Sequence, residues 1–196
     1  DIARVGNTGG TFDRGWNDAS VEFMVATTSD VNIGVQSGNG KDLWWSATRF
    51  RLVKLSDVAE MSISAEVMYG TFIAPFEVTI PENVKAYTVD GVINNELKLT
   101  ELTASIPANT PFVLESEEEF SKYVYGKSVA TEATYKTGLL TGVYADTEAP
   151  VGSYVLQKHD EDIAFYRVAD VKPVVGANHC YLTAPDASAP VLRIGG

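Results

Sequence analysis

The stretch SYVLQKHDEDIAFYRV, residues 153–168, decides the fold. Two runs rich in β-branched and aromatic residues, SYVLQK and IAFYRV, flank four polar residues, HDED. Strand-type runs on either side of a short polar tip predict a β-hairpin. Working outward, the same grammar recurs. VKAYTV (84–89) and ELKLTEL (96–102) are joined through Asp90-Gly91, with Asn94-Asn95 just beyond, and predict a second hairpin. Toward the N-terminus the period is again two. Val21, Phe23 and Val25 alternate with Glu22, Met24 and Ala26, and Val31, Ile33 and Val35 with Asn32, Gly34 and Gln36. Phe50 and Leu52 oppose Arg49 and Arg51. Each run puts apolar residues on one face, as a half-buried strand requires.

Turn chemistry separates the runs: TSD at 28–30 and SGNGKD at 37–42 read as loops. Pro81, Pro107, Pro111, Pro150 and Pro173 suit strand ends and edges. The best helical candidate is EEEFSKYV, 117–124, a short segment among strand patterns. The chain is therefore read as all-β: a β-sandwich portion of jelly-roll type, then a second module of sandwich or barrel type. Residues 1–55 form the first, 56–62 (SDVAEMS) a linker and 63–196 the second. A unit of 55 residues made of strands alone is marginal by itself, so the first module is expected to need a packing partner.

Composition limits the functions. The 196 residues are 45% hydrophobic, enough for a real core. Net charge is −11, which repels phosphate backbones and acidic membrane surfaces. No nucleic-acid partner and no membrane insertion are expected; no apolar run has the length of a bilayer span. Cys180 is the one cysteine, which excludes an intrachain disulfide and leaves the redox compartment undecided. The chain starts at Asp1 without a methionine or a signal-like segment, and is expected to be a mature, trimmed or proteolysed piece of something longer.

Two resemblances add to this. SDVNIGVQS…LWWSATRFRLVKL resembles the last strands of galactose-binding-like jelly-roll modules of Bacteroidetes secreted proteins, through Ile33-Gly34-Val35, Trp45 and Phe50-Arg51-Leu52. Ala47, Thr48 and Arg49 depart from that pattern, and the Asp the family carries is replaced by Thr48. The second resemblance runs from about Ile63 to Ile194. The ordered segments YGTFIAPFEVTIPENVKAYTV, LTELTASIPANTPFVLE, LLTGVYA, SYVLQKHDEDIAFYRV and ANHCYLTAPDASAPVLRI are similar to a β-rich module near the C-termini of Bacteroidetes surface and secreted proteins. That resemblance implies export to the cell surface or medium and an accessory position, and it implies no reaction.

Candidate contacts are few. Neighbours on a strand point to opposite faces, so of Trp44 and Trp45 one faces the core and the other a loop or solvent. Trp45 matches the family position and is assigned to the core. Trp44, with Trp16 and Arg49, is the candidate ligand surface, since an exposed indole offers a flat apolar face and an N–H donor. YGKS (125–128) lacks the Gly five residues earlier and the helix of a phosphate loop. HDED (159–162) reads as a solvated hairpin tip rather than a calcium loop. His179-Cys180 lacks zinc spacing, and a buried inert thiol is expected at Cys180. Glu117, Glu118 and Glu119 read as a solvated acidic run. No catalytic residue, metal or cofactor is assigned. Three functional readings stay open: a non-catalytic accessory region that binds carbohydrate or presents an upstream domain, a protein-binding adhesin or stalk, and a fragment of a secreted glycoside hydrolase whose catalytic domain lies upstream. Glycans and proteins are the expected partners.

Overall fold

The computed structural model describes residues 57–195 apart from 65, 104 and 130. The jelly-roll portion expected over 1–55 lies outside the described residues. Among those described there is no helix, and the fold is all-β, built on a large curled mixed sheet.

The chain enters through β1 (Asp57–Ile63), whose Ala59, Met61 and Ile63 are buried while Glu60 and Ser62 are exposed. A linker was expected over 56–62. The alternation of Ala59, Met61 and Ile63 makes that segment a strand instead, paired antiparallel with β6 (Phe120–Gly126) from Asp57↔Gly126 to Ile63↔Phe120. This pairing also overrides the helix expected over 117–124. Eight residues are too few to stabilise an isolated helix, whereas β1 supplies a complete set of backbone partners. Phe120 and Val124, both at even positions, pack onto the same core.

The main sheet has ten strands in the order β2 (Tyr69–Phe72), β5 (Phe112–Ser116), β3 (Val84–Ile93), β4 (Glu96–Glu101), β14 (Val191–Ile194), β11 (Asp162–Arg167), β10 (Tyr154–His159), β13 (Cys180–Leu182), β8 (Leu140–Val143) and β7 (Thr134–Thr137). Every neighbouring pair is antiparallel except β4 and β14. Between β2 and β3, β5 serves two cores at once. Phe112 and Leu114 face the β1–β6 ribbon with Met61, Phe72 and Ile106, while Val113 faces the interior of the curl with Val89, Tyr154, Phe165 and Leu182. That two-sided burial is why PFVLE reads as a continuous apolar run rather than an alternating one. A smaller third cluster, Val143, Ala149, Val168, Val175 and Tyr181, lies beside the ribbon of β9 (Thr147–Glu148) and β12 (Val174–Val175).

The curl returns β2 to the side of β13, and polar side chains join them. The Cys180 N–H donates to Thr71 Oγ1 at 3.0 Å, and the Thr71 hydroxyl donates to the Cys180 carbonyl at 3.4 Å. Asn178 Nδ2 donates to the Ile73 carbonyl at 3.0 Å, and the Ile73 N–H donates to the Asn178 carbonyl at 3.0 Å.

Both predicted hairpins form, with one shift of detail. His159 pairs with Asp162 across a two-residue tip, Asp160-Glu161, as 153–168 predicts. In the other hairpin the turn is Asn94-Asn95, both at positive φ (52° and 66°), the arrangement of a type I′ loop. Asp90-Gly91 is instead a register shift inside β3, between Val89 and Gly91. Beside this bulge the Val89 carbonyl accepts the Leu139 N–H of the β7–β8 turn at 2.8 Å.

Candidate functional site

Trp44, Trp16 and Arg49 all lie outside the described residues. The other residues that the sequence singles out fall in separate places. His159, at the hairpin tip, stacks on Tyr166 with ring centroids 4.0 Å apart and planes 20° apart, and its Nε2 is 3.1 Å from Gln157 Oε1. Asp162 pairs with Arg193 at 3.1 Å. Partial burial, with the Asp162 carboxylate beside it, holds the Tyr166 phenol above its ordinary range. HDED is thus a polar hairpin tip tied down by its own neighbours. His179 and Cys180 belong to the seam between β2 and β13: His179 Nδ1 donates to the Thr71 carbonyl at 2.8 Å and Cys180 Sγ to the Phe72 carbonyl at 3.3 Å. Burial pushes the Cys180 thiol far up, as an inert thiol requires. Among the described residues no three His, Cys, Asp or Glu side chains gather as a metal site.

The acidic run also divides. Glu117, Glu118 and Glu119 are exposed in the turn between β5 and β6. Glu115, just before them, does something sequence reasoning missed: it accepts the Tyr69 hydroxyl at 3.2 Å and the Tyr87 hydroxyl at 2.5 Å, tying β2, β5 and β3 through one carboxylate. Desolvation comes first and the Glu115 contacts second in raising both phenols above the usual tyrosine range. YGKS runs off the end of β6 with no helix behind it.

An open hollow lies elsewhere. A cleft of about 410 Å³, open to solvent, forms where β10, β11 and β13 end. One wall is the turn Pro150-Val151-Gly152-Ser153, which begins β10. It is held by Ser153, whose N–H and hydroxyl both donate to the Pro150 carbonyl, at 3.0 and 2.6 Å. The opposite wall is the turn after β13, with Ala184, Pro185 and Ala187. The Tyr154 hydroxyl fixes that second turn, reaching the Ala187 and Ala189 carbonyls at 3.1 and 2.9 Å. Burial raises the Tyr154 phenol, and the nearby Arg167 charge opposes the rise. Tyr181 and Thr183 line the cleft from β13 and its end, Lys136 from β7, and Arg167 from the last paired position of β11. A second, smaller hollow of about 150 Å³ shares Arg167 and continues over Gln157 and Tyr166 toward the stacked His159.

Several polar groups here have no partner among the described residues. Lys136 and Arg167 make no ion pair among the described residues, and the hydroxyls of Tyr181 and Thr183 make no hydrogen bond there. Thr141 stands in register between Lys136 and Tyr181, and its buried hydroxyl lacks a partner. Walls of small and apolar residues with a few convergent, unpaired polar groups are the usual make-up of a binding site.

None of Lys136, Ser153, Arg167, Tyr181 and Thr183 was singled out by sequence reasoning, because they come from separate elements. The one local signal was parity: Arg167 stands in phase with Ile163 and Phe165, a charge at an inward position of IAFYRV. No protein-family model matches the chain, and no curated protein or solved structure matches it either.

Proposed function

We propose that this chain is a non-catalytic accessory region of an exported, Bacteroidetes-type surface protein, and that its second module binds carbohydrate in the cleft at the ends of β10, β11 and β13. The observation that carries the binding reading is the set of unpaired donors and acceptors (Lys136, Arg167, Tyr181, Thr183) around an open cleft. Saccharides present hydroxyls in every direction, and unpaired donors and acceptors around a cleft of small and apolar residues can meet them. Export and the accessory position rest on the five ordered segments between Ile63 and Ile194.

The test is a glycan array probed with the full chain, followed by titration calorimetry on the hits. Val151→Trp, at an exposed position on the cleft wall (62% exposed), is expected to block binding without disturbing the fold. A folded chain that retains no saccharide, or one whose binding is indifferent to Val151→Trp, overturns the proposal. A protein-binding adhesin is the second reading. It draws on Val171 and Val174, exposed at 86% and 61% near the smaller hollow, since clustered exposed apolar side chains mark protein contacts.

A further inference from the structure

The charge of the cleft is opposite to that of the chain. There are 26 acidic and 15 basic residues in all, yet no carboxylate lines the cleft and two cations do. Neither cation is spent on an internal partner: the ion pairs among the described residues are Lys158–Glu66, Lys172–Glu148 and Arg193–Asp162. Arg167 lies over the turn at Gly152, with a guanidinium nitrogen 3.9 Å from where a Cβ on that glycine would be. An exposed guanidinium beside that wall can present a planar pair of donors, which matches a carboxylate bidentately.

From these observations we infer that the ligand of the cleft is an acidic saccharide carrying a single carboxylate, such as a uronosyl-terminated oligosaccharide, with the carboxylate on Arg167. The inference rests on the carbohydrate reading and names its substrate class. Lys136 stands across the cleft and adds attraction without fixed geometry, as a flexible ammonium does. The strand order puts four strand spacings between the two residues, at most ~19 Å along the sheet, so a chain of sugars rather than one ring engages both sides. A single carboxylate also fits the net charge. A polyanion would meet the repulsion of the whole acidic surface. One carboxylate in contact with Arg167 lies within a Debye length of it, ~8 Å at physiological salt, and is governed by that cation.

The experiment is calorimetric titration of the full chain with two trisaccharides that differ only in their terminal residue, glucuronosyl against glucosyl. The glucuronosyl form is expected to bind at least tenfold more tightly, with an advantage that shrinks as salt rises. Arg167→Gln is expected to remove that advantage and leave the affinity for the neutral form as it was. Lys136→Gln, across the cleft from the carboxylate, is expected to keep most of the advantage, and Lys122→Gln, on β6 and outside the cleft, to change nothing. Arg167 is exposed, so its variant should melt like the parent, which is checked by circular dichroism. Equal affinity for the two trisaccharides, or an advantage that survives Arg167→Gln, overturns this inference and leaves the carbohydrate reading standing. Failure of both trisaccharides, and of every other saccharide on the array, overturns both.

Discussion

Two glycines, Gly91 and Gly138, separate local turn chemistry from tertiary contact, and replacing each by alanine gives opposite results. Gly138 is the first residue of the two-residue turn between β7 and β8, at φ +56°. A Cβ there would sit 2.2 Å from the Val89 carbonyl oxygen, whereas ordinary contact begins at 3.4 Å. Relieving the overlap moves the turn about 1 Å from β3. The Leu139 N–H to Val89 carbonyl bond, now 2.8 Å, would then exceed hydrogen-bonding length. A left-handed alanine costs ~1–2 kcal/mol, and the lost bond ~1 kcal/mol more. Gly138→Ala should therefore destabilise the module by about 3 kcal/mol. That is a large part of a typical domain stability of ~5–15 kcal/mol.

Gly91 is the glycine of the Asp-Gly pair, which suggests the turn. It has ordinary backbone angles and no atom within 4 Å of a built Cβ. Gly91→Ala should be neutral, or stabilise by ~0.4–1 kcal/mol through the unfolded state. Urea unfolding followed by tryptophan-independent far-ultraviolet dichroism reads the difference. At a slope of ~2 kcal/mol/M the midpoint of Gly138→Ala should fall by ~1.5 M while that of Gly91→Ala holds or rises. Equal midpoints for the two variants would refute the claim that the β7–β8 turn is held against the Val89 carbonyl beside the bulge.

Two further outcomes follow from the polar contacts. Thr71→Val should cost ~1–3 kcal/mol, because it strips the buried Cys180 N–H of its acceptor while keeping the side chain's volume; chemical denaturation measures it, and a loss below ~0.5 kcal/mol would show that the seam between β2 and β13 needs no polar tie. Tyr69 and Tyr87 have their phenols raised above the unfolded value of 10 by desolvation and by Glu115, so the neutral phenol is the form the fold favours. Their contribution is complete below pH 10 and is lost as pH rises above it, because the unfolded chain then releases protons that the folded one retains. Melting temperatures between pH 9 and pH 11 should fall for the parent and fall less for a Tyr87→Phe variant; identical slopes would count against the Glu115 contact.

How much of this was legible beforehand depended on how local the cause was. Strand identity was legible, because burial on one face imposes a period of two that is visible within six residues, as in 153–168. Asn94-Asn95 was noted but placed second to Asp90-Gly91, since both pairs satisfy the same turn statistics. What decides between them is the register of β3 on β4, set by Val89, Leu97 and Leu99 packing into the curl, and packing is not written in a dipeptide. The segment 117–124 shows the reverse case. Its helix-like composition is local, and the pairing with β1 that overrides it comes from sixty residues upstream. The break expected at 56–62 suffers from the same distance: SDVAEMS has the polarity of a linker until β6 is known to lie beside it.

The cleft was illegible for a stronger reason. Its cations come from β7 and β11, which are four strands apart in the sheet and thirty-one residues apart in the chain. Nothing near Lys136 marks it, a lone Lys in TYKT, and Arg167 is marked only by its parity with Ile163 and Phe165. What sets them apart is tertiary: in a chain with an excess of acids, these two cations line one cleft that no carboxylate lines. Among the described residues Lys158, Lys172 and Arg193 have ion-pair partners, while Lys85, Lys98, Lys122 and Lys127 have none and stand outside the cleft. Their sharing a cleft without carboxylates, and not the missing partners, is therefore what points Lys136 and Arg167 to an acidic ligand. That argument stands or falls with Arg167→Gln, the one substitution that removes the charge and leaves the walls in place.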